Sequence, residues 1–168
     1  MISLIIAEDQ NMLRQAMIQL IKLHGDFEIL ADVDNGLDAI KIIEAHHPDV
    51  VILDIEMSGM TGLEVLSEIR KKHLNIKVII VTTFKRPGYF EKAVANDVDA
   101  YVLKERSIEE LVETIYKVYN GKKEYSASLM TSFFTDGTVR NYTSVRIDKL
   151  FADNRFDAWK KANEKGWI

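Results

Sequence analysis

The feature that most narrows what this chain can fold into is a strict alternation. Short runs rich in Ile and Val, at Ile2–Ala7, Glu28–Val33, Val50–Leu53, Ile76–Val81 and Ala100–Leu103, are separated by longer stretches in which apolar residues recur with helical period. The runs read as buried strands, because a strand covered on both faces is continuously apolar. The stretches between and after them predict helices over Gln10–His24, Leu37–His46, Gly62–His73, Pro87–Ala95 and Ser107–Asn120. The last is the best marked. Ser107 and Glu110 form a capping box, Ile108, Leu111, Ile115 and Val118 a buried stripe, and Gly121 stands where a left-handed C-cap belongs. Gly25 and Pro48 stop the first and second helices. Such alternation requires parallel strands, since each right-handed crossover must lay its helix on a face of the sheet. The expected fold is α/β, a doubly wound five-stranded parallel sheet of strand order 2-1-3-4-5.

That order reverses direction between the first and third strands, so a crevice opens at their carboxyl ends. Glu8 and Asp9 follow the first run, Asp54 the third, Thr82 and Thr83 the fourth, and Lys104 the fifth. Each has an ordinary reading alone: Asp9 as a helix N-cap, Asp54 as the start of a turn, the threonines as strand residues, Lys104 as a solvated charge. Their arrival at one edge points to chemistry. Carboxylates gathered there repel by roughly 4 kcal/mol per pair at 4 Å and an effective dielectric of 20. A hard cation offsets this, and Mg²⁺ suits a few carboxylates and a carbonyl while keeping waters. The predicted ligands are Asp9, Asp54 and the Glu56 main-chain carbonyl, with Glu8 acting through a water. Lys104 supplies a second positive charge and Thr82 a hydroxyl donor. Asp54 is the predicted nucleophile toward phosphorus, since carboxylates form acyl phosphates where the protein supplies positioning and charge neutralisation.

The segments Ile5-Ile6-Ala7-Glu8-Asp9, Val51-Ile52-Leu53-Asp54-Ile55-Glu56-Met57, Ile80-Val81-Thr82-Thr83 and Tyr101-Val102-Leu103-Lys104 resemble the signature patches of two-component response-regulator receiver domains. The resemblance covers residues 1–121 and implies a flavodoxin-like receiver fold. It implies that Asp54 is phosphorylated by a sensor histidine kinase, that Glu8 and Asp9 bind Mg²⁺, and that Lys104 contacts the phosphoryl group. It further implies a switch in which the Thr82 hydroxyl moves toward that group and Tyr101 turns inward to fill the space left. Two positions depart from many receivers: Glu105 follows Lys104 in place of proline, as in the subgroup carrying a four-helix DNA-binding domain, and Ser58 follows Met57 where proline is common. Glu56, two residues after Asp54, is expected to affect how fast water removes the phosphoryl group.

Charge divides the chain. Its net charge of −4 splits into −7 over residues 1–136 and +3 over residues 137–168, an acidic body with a basic tail. The tail resembles the recognition and final helices of the helix-turn-helix domain in the NarL/FixJ class of response regulators. The implied DNA-facing residues are Thr138, Arg140, Asn141, Ser144 and Arg146, with Val139, Tyr142, Val145 and Leu150 toward a core. Arg reads guanine edges and Asn adenine, and either also binds phosphate; without the resemblance the segment reads as a solvated basic amphipathic helix. The expected organisation is a phosphoreceiver over 1–121, a linker over 122–136 and a small all-α, partial helix-turn-helix segment over 137–168.

The first two helices of such a domain, roughly 30 residues, have no counterpart between Asp136 and Gly137. Three accounts fit. The molecule contains a stretch absent from these 168 residues; or the chain is a natural or engineered deletion that does not bind DNA; or the tail packs on the receiver or pairs between protomers. The intact cap, stripe and basic face over Thr138–Trp167 favour the first, which an intact mass near 19.3 kDa refutes.

The expected function is a phosphorylation-activated transcription regulator that dimerises and binds promoter DNA. The alternative is a receiver-type binding module signalling through protein contacts, with a DNA-binding segment that does not function. A metal-dependent phosphatase needs a separate acid/base, whereas His24, His46, His47 and His73 all fall at helix ends away from the carboxyl edge; the chain is read as no enzyme. The absence of cysteine excludes disulfides and thiolate metal sites and fits a reducing cytoplasm. No apolar run approaches the ~18 residues of a membrane span, so no membrane partner is expected.

Overall fold

Each Ile/Val run becomes a strand, and the strands stack in the order that parallel crossovers dictate. The computed structural model describes residues 1–83, 86–126 and Leu129. The strands are β1 (Ile2–Ala7), β2 (Phe27–Val33), β3 (Val50–Leu53), β4 (Lys77–Thr82), β5 (Ala100–Leu103) and β6 (Glu124–Tyr125); the helices are α1 (Asn11–Lys22), α2 (Gly36–His46), α3 (Gly62–Lys71), α4 (Pro87–Ala95) and α5 (Ile108–Tyr119). The sheet order is β2-β1-β3-β4-β5-β6, parallel at every pairing.

Pleating sends alternate residues to opposite faces, and two cores result. Leu4, Ile6, Ile52, Ile79 and Val102 pack with Met17, Ile18 and Ile21 of α1 and Leu111, Ile115 and Val118 of α5. Ile5, Ala7, Leu53, Ile80 and Tyr101 pack with Ala39 and Ile43 of α2, Leu66 and Ile69 of α3, and Phe90 and Val94 of α4. The capping box closes at α5 as its sequence signals, Ser107 Oγ accepting from the Glu110 amide and Glu110 from the Ser107 amide. Gly121 follows with φ of +85°.

One feature differs from the sequence reading. Among the described residues the sheet has six strands rather than five: Glu124 and Tyr125, in the stretch read as a linker, pair beside Ala100 and Tyr101. A two-residue strand has no run long enough to register as a pattern. The N-cap of α1 is Gln10, so the ordinary alternative for Asp9, a helix cap, does not apply. The DNA-facing residues Thr138, Arg140, Asn141, Ser144 and Arg146 lie outside the described residues.

Candidate functional site

The carboxyl ends of β1, β3 and β5 bring Glu8, Asp54 and Lys104 into contact. Register places Ala7 beside Leu53, so the residues that follow each strand meet, and the Asp54 amide donates to the Ala7 carbonyl at 2.9 Å. Gly62, the first residue of α3, lets that helix start against the acidic loop: a Cβ there would stand 2.1 Å from the Asp54 carbonyl oxygen. The Gly62 amide donates to the Ile55 carbonyl at 2.9 Å and fixes the loop from the other side.

Within this frame the polar atoms are assigned one by one. Asp54 Oδ1 accepts from the Ile55 amide at 2.8 Å, while Oδ2 lies 3.1 Å from Lys104 Nζ. The same ammonium is 2.7 Å from Glu8 Oε2, and Glu8 Oε1 accepts from the Gln10 amide at 3.0 Å. The sequence reading set Lys104 apart as a charge for the ligand; in the structure it bridges both buried carboxylates directly. Glu8 and Asp54 are buried, whereas Asp9 is exposed at the mouth. One oxygen from each of the three carboxylates lies within 4.8 Å of the others.

Burial dominates the electrostatics. It raises the Asp54 pKa, the charge of Asp9 adds to the rise, and Lys104 opposes it without cancelling it. Glu8 is raised for the same first reason, with Asp54 adding and Lys104 opposing. For Lys104 burial acts downward, but the hydrogen bond to Glu8 and the charges of Asp54 and Glu8 outweigh it, so its pKa is raised and it stays an ammonium. Two carboxyls pushed up beside a third form a site still short of positive charge. The donors are hard carboxylate oxygens, the chemistry that suits Mg²⁺. Glu8, Asp9 and Asp54 could hold such an ion.

Thr82 and Tyr101, the pair the resemblance implies as a switch, lie on the strands β4 and β5 that lead to this edge. Thr82, fully buried, ends β4, and its carbonyl accepts from the Lys104 amide at 2.9 Å. Tyr101 is fully buried on β5, its ring edge-on to Phe90 at 5.3 Å and 81°, and among the described residues its hydroxyl has no hydrogen-bond partner. Burial, with the neighbouring Tyr89 adding, pushes its phenol pKa up. Glu56 is exposed and accepts from the Tyr89 hydroxyl at 3.3 Å. All four histidines are exposed on the helix C-terminal turns or just past them, away from this edge.

Sequence reading missed one brace. Arg14 of α1 donates through Nη1 to the Glu8 carbonyl at 2.6 Å, and through Nε to Asp32 at 2.9 Å just inside the end of β2. It ties the acidic turn to two elements. Its spacing, six residues after Glu8 on the first helix, was the available signal.

Comparison with known proteins agrees with this geometry. A model of the response regulator receiver domain family matches residues 4–116. Two curated Bacillus subtilis proteins align along the whole of both chains over 200 residues: the transcriptional regulatory protein DesR at 38% identity and the uncharacterized transcriptional regulatory protein YvfU at 40%. A crystal structure of a LuxR-family DNA-binding response regulator from Staphylococcus aureus is 88% identical with a TM-score of 0.70, covering 71% of this chain and 100% of its own. The receiver domain of the NarL regulator from Mycobacterium tuberculosis is 25% identical, also with a TM-score of 0.70, over 72% of this chain and 98% of its own. No described helix is long and apolar enough to cross a membrane. The chain therefore belongs to the response regulator receiver family, within the NarL/LuxR group of two-component transcriptional regulators.

Proposed function

We propose that Asp54 accepts a phosphoryl group from a sensor histidine kinase, and that this drives dimerisation and promoter binding. The observation that carries the reading is the buried Asp54 carboxylate, with one oxygen pinned by the Ile55 amide and the other beside the Lys104 ammonium. Asp54 Oδ2 attacks phosphorus; the P–O bond forms as the P–N bond to the kinase imidazole breaks, and that nitrogen keeps the electron pair and takes a proton. Lys104 then exchanges its contact with Asp54 for a phosphoryl oxygen, and the Thr82 hydroxyl donates to another. Mg²⁺, held by Asp9, Asp54 and the Glu56 carbonyl with Glu8 behind a water, supplies charge neutralisation when bound. Glu56 sits where it can influence the water that hydrolyses the product; equal dephosphorylation rates in wild type and Glu56→Asn contradict that role. The cell compartment is the cytoplasm, where a kinase phosphohistidine and DNA are both within reach.

The basic tail is the DNA-binding part of this reading, through Thr138, Arg140, Asn141, Ser144 and Arg146. One observation favours a second reading, in which the receiver signals through protein contacts alone: the alignments to both Bacillus regulators run over 200 residues against 168 in this chain. Gel-shift with and without beryllofluoride separates the two. Retention that strengthens with the phosphoryl mimic supports a DNA-binding regulator, and no retention in either condition supports the binding module.

A further inference from the structure

The turn that carries Glu8 and Asp9 is held from three sides. The Glu8 amide donates to the Val33 carbonyl of β2 at 3.0 Å. Glu8 Oε1 accepts from the Gln10 amide and Oε2 lies against Lys104, so both oxygens of that side chain are engaged. The third tie is Arg14, whose three guanidinium nitrogens each have their own acceptor. Nη1 donates to the Glu8 carbonyl at 2.6 Å, Nε to Asp32 Oδ2 at 2.9 Å and Nη2 to Asn11 Oδ1 at 3.0 Å. Asp32 stands opposite Ile6 in the ladder between β1 and β2, one position before the residue that receives the Glu8 amide. Asp9 is the contrast. Its carboxylate is exposed and no described residue donates to it, yet one of its oxygens lies within 4.8 Å of oxygens of Glu8 and Asp54. With no partner of its own, this carboxylate is aimed by the backbone alone.

We infer that Arg14 is a positioning residue for the divalent cation: by holding the Glu8 carbonyl it aims the Asp9 carboxylate, and Asp32 in turn holds Arg14. The inference rests on the reading of Glu8, Asp9 and Asp54 as a Mg²⁺ site and adds to it the group that sets its affinity. The Glu8 carbonyl lies in the rigid peptide plane that joins Glu8 to Asp9, so fixing that oxygen fixes the direction in which Asp9 leaves the turn. Here the fork matters and the charge works against it. A guanidinium beside an acidic site repels a cation, so on charge alone the loss of Arg14 tightens Mg²⁺ binding. Positioning has the opposite sign, because a turn without its brace no longer presents Asp9 to the ion. A planar group with three nitrogens spans the Glu8 carbonyl, Asp32 and Asn11 at once, whereas a lysine keeps the charge on a single nitrogen.

A Mg²⁺ titration of the full chain, read from the backbone amide resonances of residues 8–10 and 54–56, tests this with the metal alone. Arg14→Ala is expected to weaken Mg²⁺ binding roughly 10- to 100-fold, the usual effect of removing a partner that orients a metal ligand, and Arg14→Lys to weaken it nearly as much. Asp9→Asn weakens binding by itself, and adding Arg14→Ala to it brings no further loss, because the arginine acts through Asp9. A general loosening of the turn adds to the Asp9→Asn effect instead. Asp32→Asn leaves Arg14 in place without its anchor; it is expected to weaken binding in the wild-type background and to add nothing to Asp9→Asn, which keeps the test open if Arg14→Ala does not fold. Binding as tight as wild type or tighter in Arg14→Ala, full rescue by Arg14→Lys, or additivity with Asp9→Asn overturns the positioning role and leaves the metal site intact. No response to Mg²⁺ in the wild type overturns the metal site and the positioning role with it.

Discussion

At the scale of single residues, the site is defined by charge that the fold has confined without neutralising. Glu8 and Asp54 share one ammonium, and burial raises both of their pKa values despite it. A carboxyl whose folded pKa lies above its unfolded value costs stability once the pH is above the folded pKa, and that cost fades as the pH falls toward the unfolded value. Asp54→Asn is therefore expected to melt above wild type in metal-free buffer at neutral pH, with the gap narrowing as the pH drops through the carboxylate range. A thermal melt series against pH checks the sign. Mg²⁺ at about 100 times its dissociation constant should stabilise wild type by about 2.7 kcal/mol and Asp54→Asn by much less. Removing the ammonium has the opposite effect. Lys104→Ala leaves two buried carboxylates facing each other and should cost about 3 kcal/mol in urea unfolding, along with most phosphoryl uptake.

At the scale of elements, helix starts and strand ends determine where those residues meet. Gly62 is required because α3 begins against the Asp54 carbonyl. Gly62→Ala must push helix and loop apart, an overpacking cost of about 1–3 kcal/mol, and should weaken Mg²⁺ binding in the same calorimetric titration that gives its midpoint. Ser107→Ala, which removes the α5 cap, should cost about 1 kcal/mol and leave phosphoryl uptake unchanged. The contrast separates an element that merely holds the sheet from one that shapes the site.

Elements also show what the residues told in advance. The five Ile/Val runs, the crossover rule and the Ser107–Glu110 box were legible because each is a local pattern with a physical cause. Strand β4 begins one residue later than its apolar run, at Lys77 rather than Ile76, because ladder bonds and not hydrophobicity set its end. The capping box of α3, Thr61 with Glu64, is equally local but lies behind a loop whose start had no marker. β6 was not legible at all. Its stability comes from Asp99, Tyr101, Leu103 and Phe90, contacts remote in sequence that no window of the tail contains. The same holds for the Lys104–Glu8 ion pair, which needs β1 and β5 placed on either side of β3 and β4.

At the scale of the whole molecule, the charge is −7 over residues 1–136 and +3 over residues 137–168, an acidic body followed by a basic tail. On the proposed reading, the carboxyl edge of this sheet takes one phosphoryl group, on Asp54, and needs a divalent cation to do so. The most direct measurement is intact-mass and peptide mapping of the full chain after incubation with a small-molecule phosphoryl donor, with Mg²⁺ and with chelator. A single acid-stable, base-labile adduct mapped to Asp54 is expected, formed with Mg²⁺, suppressed by chelator and absent in Asp54→Asn. An adduct that persists in Asp54→Asn, or that forms equally without Mg²⁺, would contradict it.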